Sequence, residues 1–394
     1  MHFTPTAFAR LLEPLDRRLV SRTVDKHNGN HGVGNGPGAW TCQRHLKALV
    51  FAQLTGLSSL REIEQALAAR PEALYHLALR LPKRSTLADA SAKRPVEVFA
   101  DLARHLMGQA TRKLRGDGEA LITLIDCSPI PLRDARFTWP QANSRVRGLN
   151  MFVCYDPDAR LPVCFEIASP KLGDVAHGRS LPLEEGVTYV FDKGFTDYGW
   201  WQDICEAKAR FVTRLKKNAH RREIKATNGT LEAPILEDNT LKIGHKKPRG
   251  GAENKLFDTT LREVVVDRGS GEEPLRLITN QMEASAAEIA ALYKRRWQIE
   301  LFFKWIKQNL RIKAFFGRSE NAVRMQLYAA LIAFLLLRLF TEKYATAYKA
   351  AIKYLMARLK VAWLDPLDLS NRQKPPPTAP NQRPPKQQLE IVFQ

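Results

Sequence analysis

The chain is short of acidic residues, poor in cysteine and without a long apolar run, and each shortage excludes something. Its 41 Asp and Glu stand against 61 Lys and Arg, a formal charge of +20, and the sequence pI is near 9.9. Such a balance is unusual for a cytosolic enzyme of small molecules and points to a polyanionic partner, because basic surface releases the counterions condensed on a phosphate backbone. Charge alone does not choose the nucleic acid or the sequence bound. The five cysteines, Cys42, Cys127, Cys154, Cys164 and Cys205, are odd in number and widely spaced, with no CxxC pair to begin a zinc site. They read as reduced, partly buried thiols. The longest apolar stretch, Leu327 to Leu337, is closed by Arg338 and falls short of the ~20 residues of a membrane helix, so a buried helix and no membrane partner are expected. The N-terminal MHFTPTAFARLLEPL has no basic stretch followed by a pure apolar run, and no secretory signal is expected. These absences place the protein in a reducing cytoplasm. No repeat of fixed period is present.

What is there is the composition of a folded protein, 44% hydrophobic and 26% charged over 394 residues, enough for two or three packed units. The first hundred residues carry apolar positions at helical spacing in FARLLEPLDRRLV, RHLKALVFAQLTGL and LREIEQALAA. A break, HNGNHGVGNGPG, interrupts them with five glycines between Asn28 and Gly38, too much backbone freedom for regular structure. Ser59 with Glu62 and Ser285 with Glu288 fit the capping-box pattern and predict helix starts. From Leu121 the texture turns to short β-type runs, LITLID, NMFVCYD, LPVCFEIA, VTYVFD and FVTRLK, an α/β signature. Between about His220 and Asn280, TLKIGH, TTLREVVVDR and PLRLITN read as a β-rich insertion. Helix returns in IAALYKRRWQIELFFKWIKQNL and again from about Asn321 to Tyr344, and the segment NRQKPPPTAPNQRPPKQQ reads as a mobile basic tail.

Asp126 ends the run LITLI and Asp192 ends VTYVF, so each acid sits where a buried strand is expected to leave its sheet. Ligands of open α/β sheets collect at strand ends, and two carboxylates from adjacent strands can hold hard divalent cations. Singly, an Asp after a strand is more often a turn or helix cap. Tyr293, Arg296, Glu300 and Lys307 stand at relative positions 0, 3, 7 and 14, within an arc of about 60° on one continuous helix. Beside them runs the apolar stripe Leu292, Ile299, Phe303, Ile306 and Leu310. A solvated face with an ion pair such as Glu300 with Lys304 accounts for the same pattern equally well. A metal-binding acid beside phosphate-gripping groups is, however, what phosphoryl transfer on DNA requires. Trp200, Trp201, Trp297 and Trp305 could stack on an unpaired base, although tryptophans beside an apolar stripe are usually core. His177, in GDVAHGRS, could approach the metals.

These residues resemble the insertion-sequence transposases with a DDE triad on a ribonuclease-H-like core. Their signature Y-x2-R-x3-E-x6-K is met without a gap by Tyr293, Arg296, Glu300 and Lys307, their D-x-S by Asp126-Cys127-Ser128, and their D-[RK]-G-[YF] by Asp192-Lys193-Gly194-Phe195. The strand FVTRLKKN and, upstream, RSTLADASAKRP are similar to the corresponding segments, so the resemblance covers about residues 1–345. The gap of 108 residues between Asp192 and Glu300 is similar to that of members carrying a β-rich insertion.

The resemblance implies a cut-and-paste DNA transposase with an α/β ribonuclease-H-like core, preceded by an all-α N-terminal DNA-binding region. Its expected divisions are a helical DNA-binding region over 1–118, the first part of the core over 119–218 and the β-rich insertion over 219–279. The second part of the core follows over 280–345, and a C-terminal helix and Pro-rich tail over 346–394. Asp126, Asp192 and Glu300 would hold two Mg²⁺ ions, with Mn²⁺ an alternative, while Arg296 and Lys307 grip phosphates and Tyr293 adds a phosphate hydrogen bond or stacks on a displaced base. The partners implied are double-stranded DNA, as terminal inverted repeats and target, and a second copy of the chain in a homodimeric synaptic complex on the nucleoid. A metal-dependent nuclease without strand transfer and a domesticated, transposase-derived DNA-binding protein are the competing readings.

Overall fold

The structure, a computed structural model, describes residues 5–348 together with Trp363 and Leu364, apart from residues 35, 116–120, 143–145, 228–230, 248–252, 270, 311 and 313. The expected Pro-rich tail, and nearly all of the expected C-terminal helix before it, lie outside the described residues. The chain divides into two compact units, one of Met1–Leu114, Arg133–Pro140 and Phe303–Gln394, the other of Arg115–Leu132 and Gln141–Phe302.

The first unit begins with α1 (Ala7–Leu11), α2 (Arg17–Lys26), α3 (Cys42–Thr55), α4 (Leu60–Ala68), α5 (Pro71–His76), α6 (Arg84–Lys93) and α7 (Glu97–Leu114). The apolar spacing of FARLLEPLDRRLV is cut in two because Pro14 has no N–H to donate and Asp16 caps α2, accepting the Leu19 N–H at 2.8 Å. Helix α3 ends where Gly56 turns left-handed at φ 73°, a conformation that favours glycine. Only half of the first capping box forms. Ser59 accepts the Glu62 N–H, but the Glu62 carboxylate turns to the N–H and hydroxyl of Ser58 instead.

The second unit is built on a sheet of ten strands, β1 (Ile122–Pro131), β2 (Gln141–Ala142), β3 (Arg147–Asp156), β4 (Leu161–Ala168), β5 (Thr188–Phe191), β6 (Arg210–Arg214), β7 (Arg221–Ala226), β8 (Ile235–Ile243), β9 (Leu261–Val266) and β10 (Leu275–Thr279). Their order is β2-β3-β1-β5-β6-β10-β9-β8-β7, with β4 on β3. Strands β1, β5 and β6 run parallel in the middle, and all four residues of β5 are buried, as a strand covered on both faces requires. The strands of the expected insertion do not make a separate sheet. They extend this one, β10 pairing with β6, and they end in β7, a charged strand with no apolar alternation to announce it.

Four helices belong wholly or in part to this unit: α8 (Asp174–Ser180), α9 (Tyr198–Glu206), α10 (Ala286–Arg295) and α11 (Trp297–Asn309). One face of the sheet buries Ile125, Phe152, Phe191 and Phe211 with Trp200 and Trp201 of α9. Helix α10 packs against β5, β6, β8, β9 and β10, and its start carries the complete capping box of Ser285 and Glu288. Helix α12 (Glu320–Tyr348) returns to the helical unit and packs on α1, α3, α6 and α7. By length and composition its segment Glu320–Lys343 could cross a membrane, yet 83% of the apolar window is buried inside the protein, so it serves as the core of its unit.

The outer part of the sheet buries charge. Arg262 on β9 donates from Nε and Nη2 to both oxygens of Asp238 on β8, at 2.8 and 2.7 Å, with both side chains 8% exposed. Removing one partner of such a pair strands the other, so Arg262→Met should lower stability in urea unfolding by about 3–5 kcal/mol, and Arg262→Met with Asp238→Leu should recover most of it. A single variant within about 1 kcal/mol of the parent would show that the pair is solvated.

Candidate active site

The register of the two central strands places the first two acids. Strand β5 pairs in parallel with β1 through Ile125↔Phe191, so the next step along each chain sets Asp126 and Asp192 on neighbouring strands, their backbones about 5 Å apart. Side chains alternate across a sheet. Ile125 and Phe191 enter the cluster under α9, and the two carboxylates therefore face the opposite side. One expectation needs correction. Asp126 does not end its strand, because β1 keeps pairing with β3 from Asp126↔Val153 on to Pro131↔Gly148; only its β5 neighbour stops. Asp192 is extended, at φ −86° and ψ 167°, and the chain then turns through a short 3-10 segment, Lys193–Phe195. Phe195 is buried against Phe152, Phe191 and Trp200, which anchors the turn. Gly194 suits it because a Cβ there would lie 3.1 Å from the Asp174 carboxylate.

The helical segment is not the single helix expected. It breaks at Arg296 between α10 and α11, where the Arg296 N–H reaches Tyr293 O at 3.0 Å and the Ile299 N–H reaches Arg296 O at 3.2 Å. These tighter, three-residue bonds alter the angular spacing from which the 60° arc was read. The step turns the signature residues onto the sheet's acids. Tyr293 Oη donates to Asp192 Oδ1 at 3.1 Å. The Arg296 guanidinium donates to Glu300 Oε1 at 2.5 Å and lies 3.9 Å from Asp126 Oδ2. Lys307 lies farther along α11, past Phe303, in the other unit.

Arg214 was missed in the sequence, where it was one residue of a strand run. The parallel register Phe191↔Thr213 sets it level with Asp192, and its Nη1 lies 3.8 Å from Asp192 Oδ1. Asp126, Asp192 and Glu300 remain 23, 32 and 33% exposed. Burial pushes the Asp126 carboxyl up to about 6, against the Cys127 N–H and Arg296, while the charges of Glu300 and Asp192 push the same way as burial. Burial likewise holds the Tyr293 phenol well above its ordinary value, so it stays a donor.

Two further expectations resolve. His177 does not approach the acids: it stacks on Phe152 at 4.9 Å, and Phe152 pairs with Cys127, on the face opposite Asp126. Trp200 and Trp201 are buried in the core and Trp305 packs edge-on to Phe334, whereas Trp297, beside Arg296, is 58% exposed.

Known proteins resemble this chain in sequence and in fold. The profile of the transposase DDE domain matches residues 117–336, and a domain of unknown function (DUF4372) matches residues 4–80. The transposase y4zB of Sinorhizobium fredii is 40% identical over 316 residues, 77% of this chain and 84% of that protein. The transposase for insertion sequence element IS5377 of Geobacillus stearothermophilus is 28% identical over 258 residues, 64% of this chain and 66% of that protein. In fold, the chain is similar to the piggyBac transposase of a synaptic complex with hairpin DNA, at a TM-score of 0.51 and 9% identity over 92% of this chain and 80% of that one. The chain belongs to the DDE transposase family of insertion sequences. It is thus a DNA transposase, an enzyme that cleaves DNA and transfers strands.

DDE transposase domains generally use divalent metal ions. The donor set suits such an ion, since three carboxylates offer hard oxygens and the charges of Asp192 and Glu300 both bear on Asp126. Among the described residues no three carboxylate, imidazole or thiol groups gather closely enough to hold one; Arg296 reaches both Asp126 and Glu300. The Tyr293 bond to Asp192 is testable alone. A double-mutant cycle of Tyr293→Phe and Asp192→Asn, read by urea unfolding, should give a coupling of about 0.5–1.5 kcal/mol. Additive effects would show that the bond is not made in solution.

Proposed function

We propose that this transposase works through Asp126, Asp192 and Glu300 on a ribonuclease-H-like core with a β-rich insertion, and that its helical N-terminal region binds the element's ends. The observation that carries the reading is the β1–β5 register, which sets two acids side by side and leaves Arg296 to tie Glu300 to the first. When bound by the three carboxylates, two Mg²⁺ or Mn²⁺ ions would lower the pKa of the attacking hydroxyl or water and stabilise the leaving oxygen. In cleavage, a water oxygen attacks phosphorus at the element's end, the P–O3′ bond breaks, and the 3′ oxygen leaves as a hydroxyl after taking a proton. In transfer, that hydroxyl attacks a target phosphorus and a target 3′ hydroxyl leaves.

The chain's own groups prepare this. Tyr293 holds Asp192 in orientation, and Arg214 offsets its charge. Arg296 offsets the charge of Asp126 and Glu300, and with those carboxylates holding cations its guanidinium would be free to grip the scissile strand's phosphates, with Lys307 gripping the backbone farther along. Trp297, the exposed tryptophan, is placed to stack on an unpaired base. Two copies, each on one end, would form the synaptic homodimer, acting on nucleoid DNA in the cytoplasm.

Asp192→Asn should abolish divalent-dependent cleavage of end DNA and leave binding of that DNA nearly intact, as read by gel cleavage and anisotropy. Substantial residual cleavage would move the active site elsewhere. Arg296→Ala and Lys307→Ala should each flatten the salt dependence of end-DNA binding by about one unit of logarithmic slope. Arg296→Ala alone should also tighten Mg²⁺ binding in calorimetry without DNA, because it removes the cation that competes for two carboxylates. Parental slopes, with stability changed by only about 0.5 kcal/mol, would reduce both residues to solvated surface.

A further inference from the structure

The N-terminal unit carries an open groove of about 720 Å³ that the catalytic reading does not use. Its cations come from two helices: Arg17 opens α2, and Arg44 and Lys47 stand on adjacent turns of α3. Among the described residues none of the three has a carboxylate partner. Backbone carbonyls hold two of them in place instead. Arg44 donates to Pro37 O at 3.1 Å, to Ala78 O at 3.3 Å and to Ala39 O, and Lys47 donates to Leu77 O at 2.6 Å. The groove's two acids are engaged away from these cations, Asp16 in capping α2 at Leu19 and Glu13 with Lys343.

A second feature points the same way. Gly34 and Gly36 of the glycine-rich break line the groove. Unlike Gly32, whose φ of +70° favours glycine, neither has a positive φ, and a Cβ at either would meet nothing within 4 Å. Neither backbone conformation nor internal packing asks for glycine there. Glycines beside a cationic groove leave room for close approach by a phosphate-bearing ligand and expose backbone N–H groups to it.

We propose that this groove binds the sugar-phosphate backbone of duplex DNA, with Arg17, Arg44 and Lys47 contacting phosphates and the wall at Gly34 and Gly36 admitting the strand closely. The inference rests on the reading of the N-terminal region as DNA-binding, and it names the surface responsible. Burial, and then the repulsion of Arg44 and Arg17, holds the Lys47 ammonium below its ordinary value. That strain between like charges is relieved when an anion enters.

The test uses the full-length chain in EDTA with a labelled duplex of the element's end, read by anisotropy over a salt series. Arg17→Ala and Gly34→Asp change positions at the groove where side chains meet open space, so both should fold like the parent by circular dichroism. Lys47→Met keeps the apolar stem and removes the charge. Each of the two cation variants should lower the logarithmic salt slope by about 0.9, one phosphate contact's worth. Gly34→Asp should weaken binding about tenfold at low salt, by putting like charge against phosphate.

Photocrosslinking from backbone phosphorothioates of the same duplex, mapped on the parent chain, separates the proposal from the reading beneath it. Reduced slopes together with crosslinks at the groove support both. Parental affinity and slope for Arg17→Ala and Gly34→Asp, with crosslinks elsewhere in residues 1–114, overturn the groove and leave the N-terminal reading standing. Parental behaviour with no crosslink in residues 1–114 overturns both.

Discussion

The pairing of β1 with β5 is the constraint on which the rest of the site depends. Because side chains alternate strictly along a strand, a slip of one residue would exchange faces, sending Asp126 into the aromatic cluster and Ile125 toward the carboxylate side. The register is held by what that cluster excludes from water. Ile125, Phe152, Phe191, Trp200, Trp201 and Phe211 are each 0–1% exposed, and an unpaired carboxylate among them would be very unfavourable. The acids thus gain their position from the apolar side chains behind them, and the Phe195 anchor carries the same discipline around the turn after Asp192.

On the exposed side the balance is electrostatic. Two arginines and a phenol meet three acids, so the cluster has compensation of its own when it holds no other cation. Arg296 lies against two of the carboxylates at once, and a guanidinium offers the same planar donors to a phosphate as to a carboxylate. The excess of basic residues over the whole chain is consistent with the DNA that a transposase must hold, and the N-terminal groove is one place where that excess is concentrated without internal neutralisation.

Much of this was legible in the sequence, and the gaps have physical causes. The apolar runs before Asp126 and Asp192 marked strands because central parallel strands are buried on both faces, and the capping box before α10 forms as its residues predict. The continuation of β1 past Asp126 was hidden because Cys127-Ser128-Pro129 is not an apolar run; its partner on β3 supplies the hydrogen bonds. The break at Arg296 leaves no mark at all, since arginine is a good helix former and the tightening depends on tertiary contacts. Arg214 looked like one basic residue among many until the register placed it beside Asp192, and β7, with charged residues on both faces, offered no alternation to read. The transposase and nuclease readings could not be separated by residues alone, because both use one metal site, whereas a domesticated DNA-binding descendant would be marked by a lost acid or a disrupted signature helix, and the sequence has neither. Kinship with transposases over most of the chain favours strand transfer.

The sheet ends in β7, whose residues Arg221, Arg222, Glu223 and Lys225 are charged, and its pairing with β8 shifts register between Arg222 and Lys225. A free strand edge is a template on which another chain can add, and charge with irregular pairing discourages that addition. Copies of the chain that meet at this edge are thereby discouraged from zipping strand to strand into fibres.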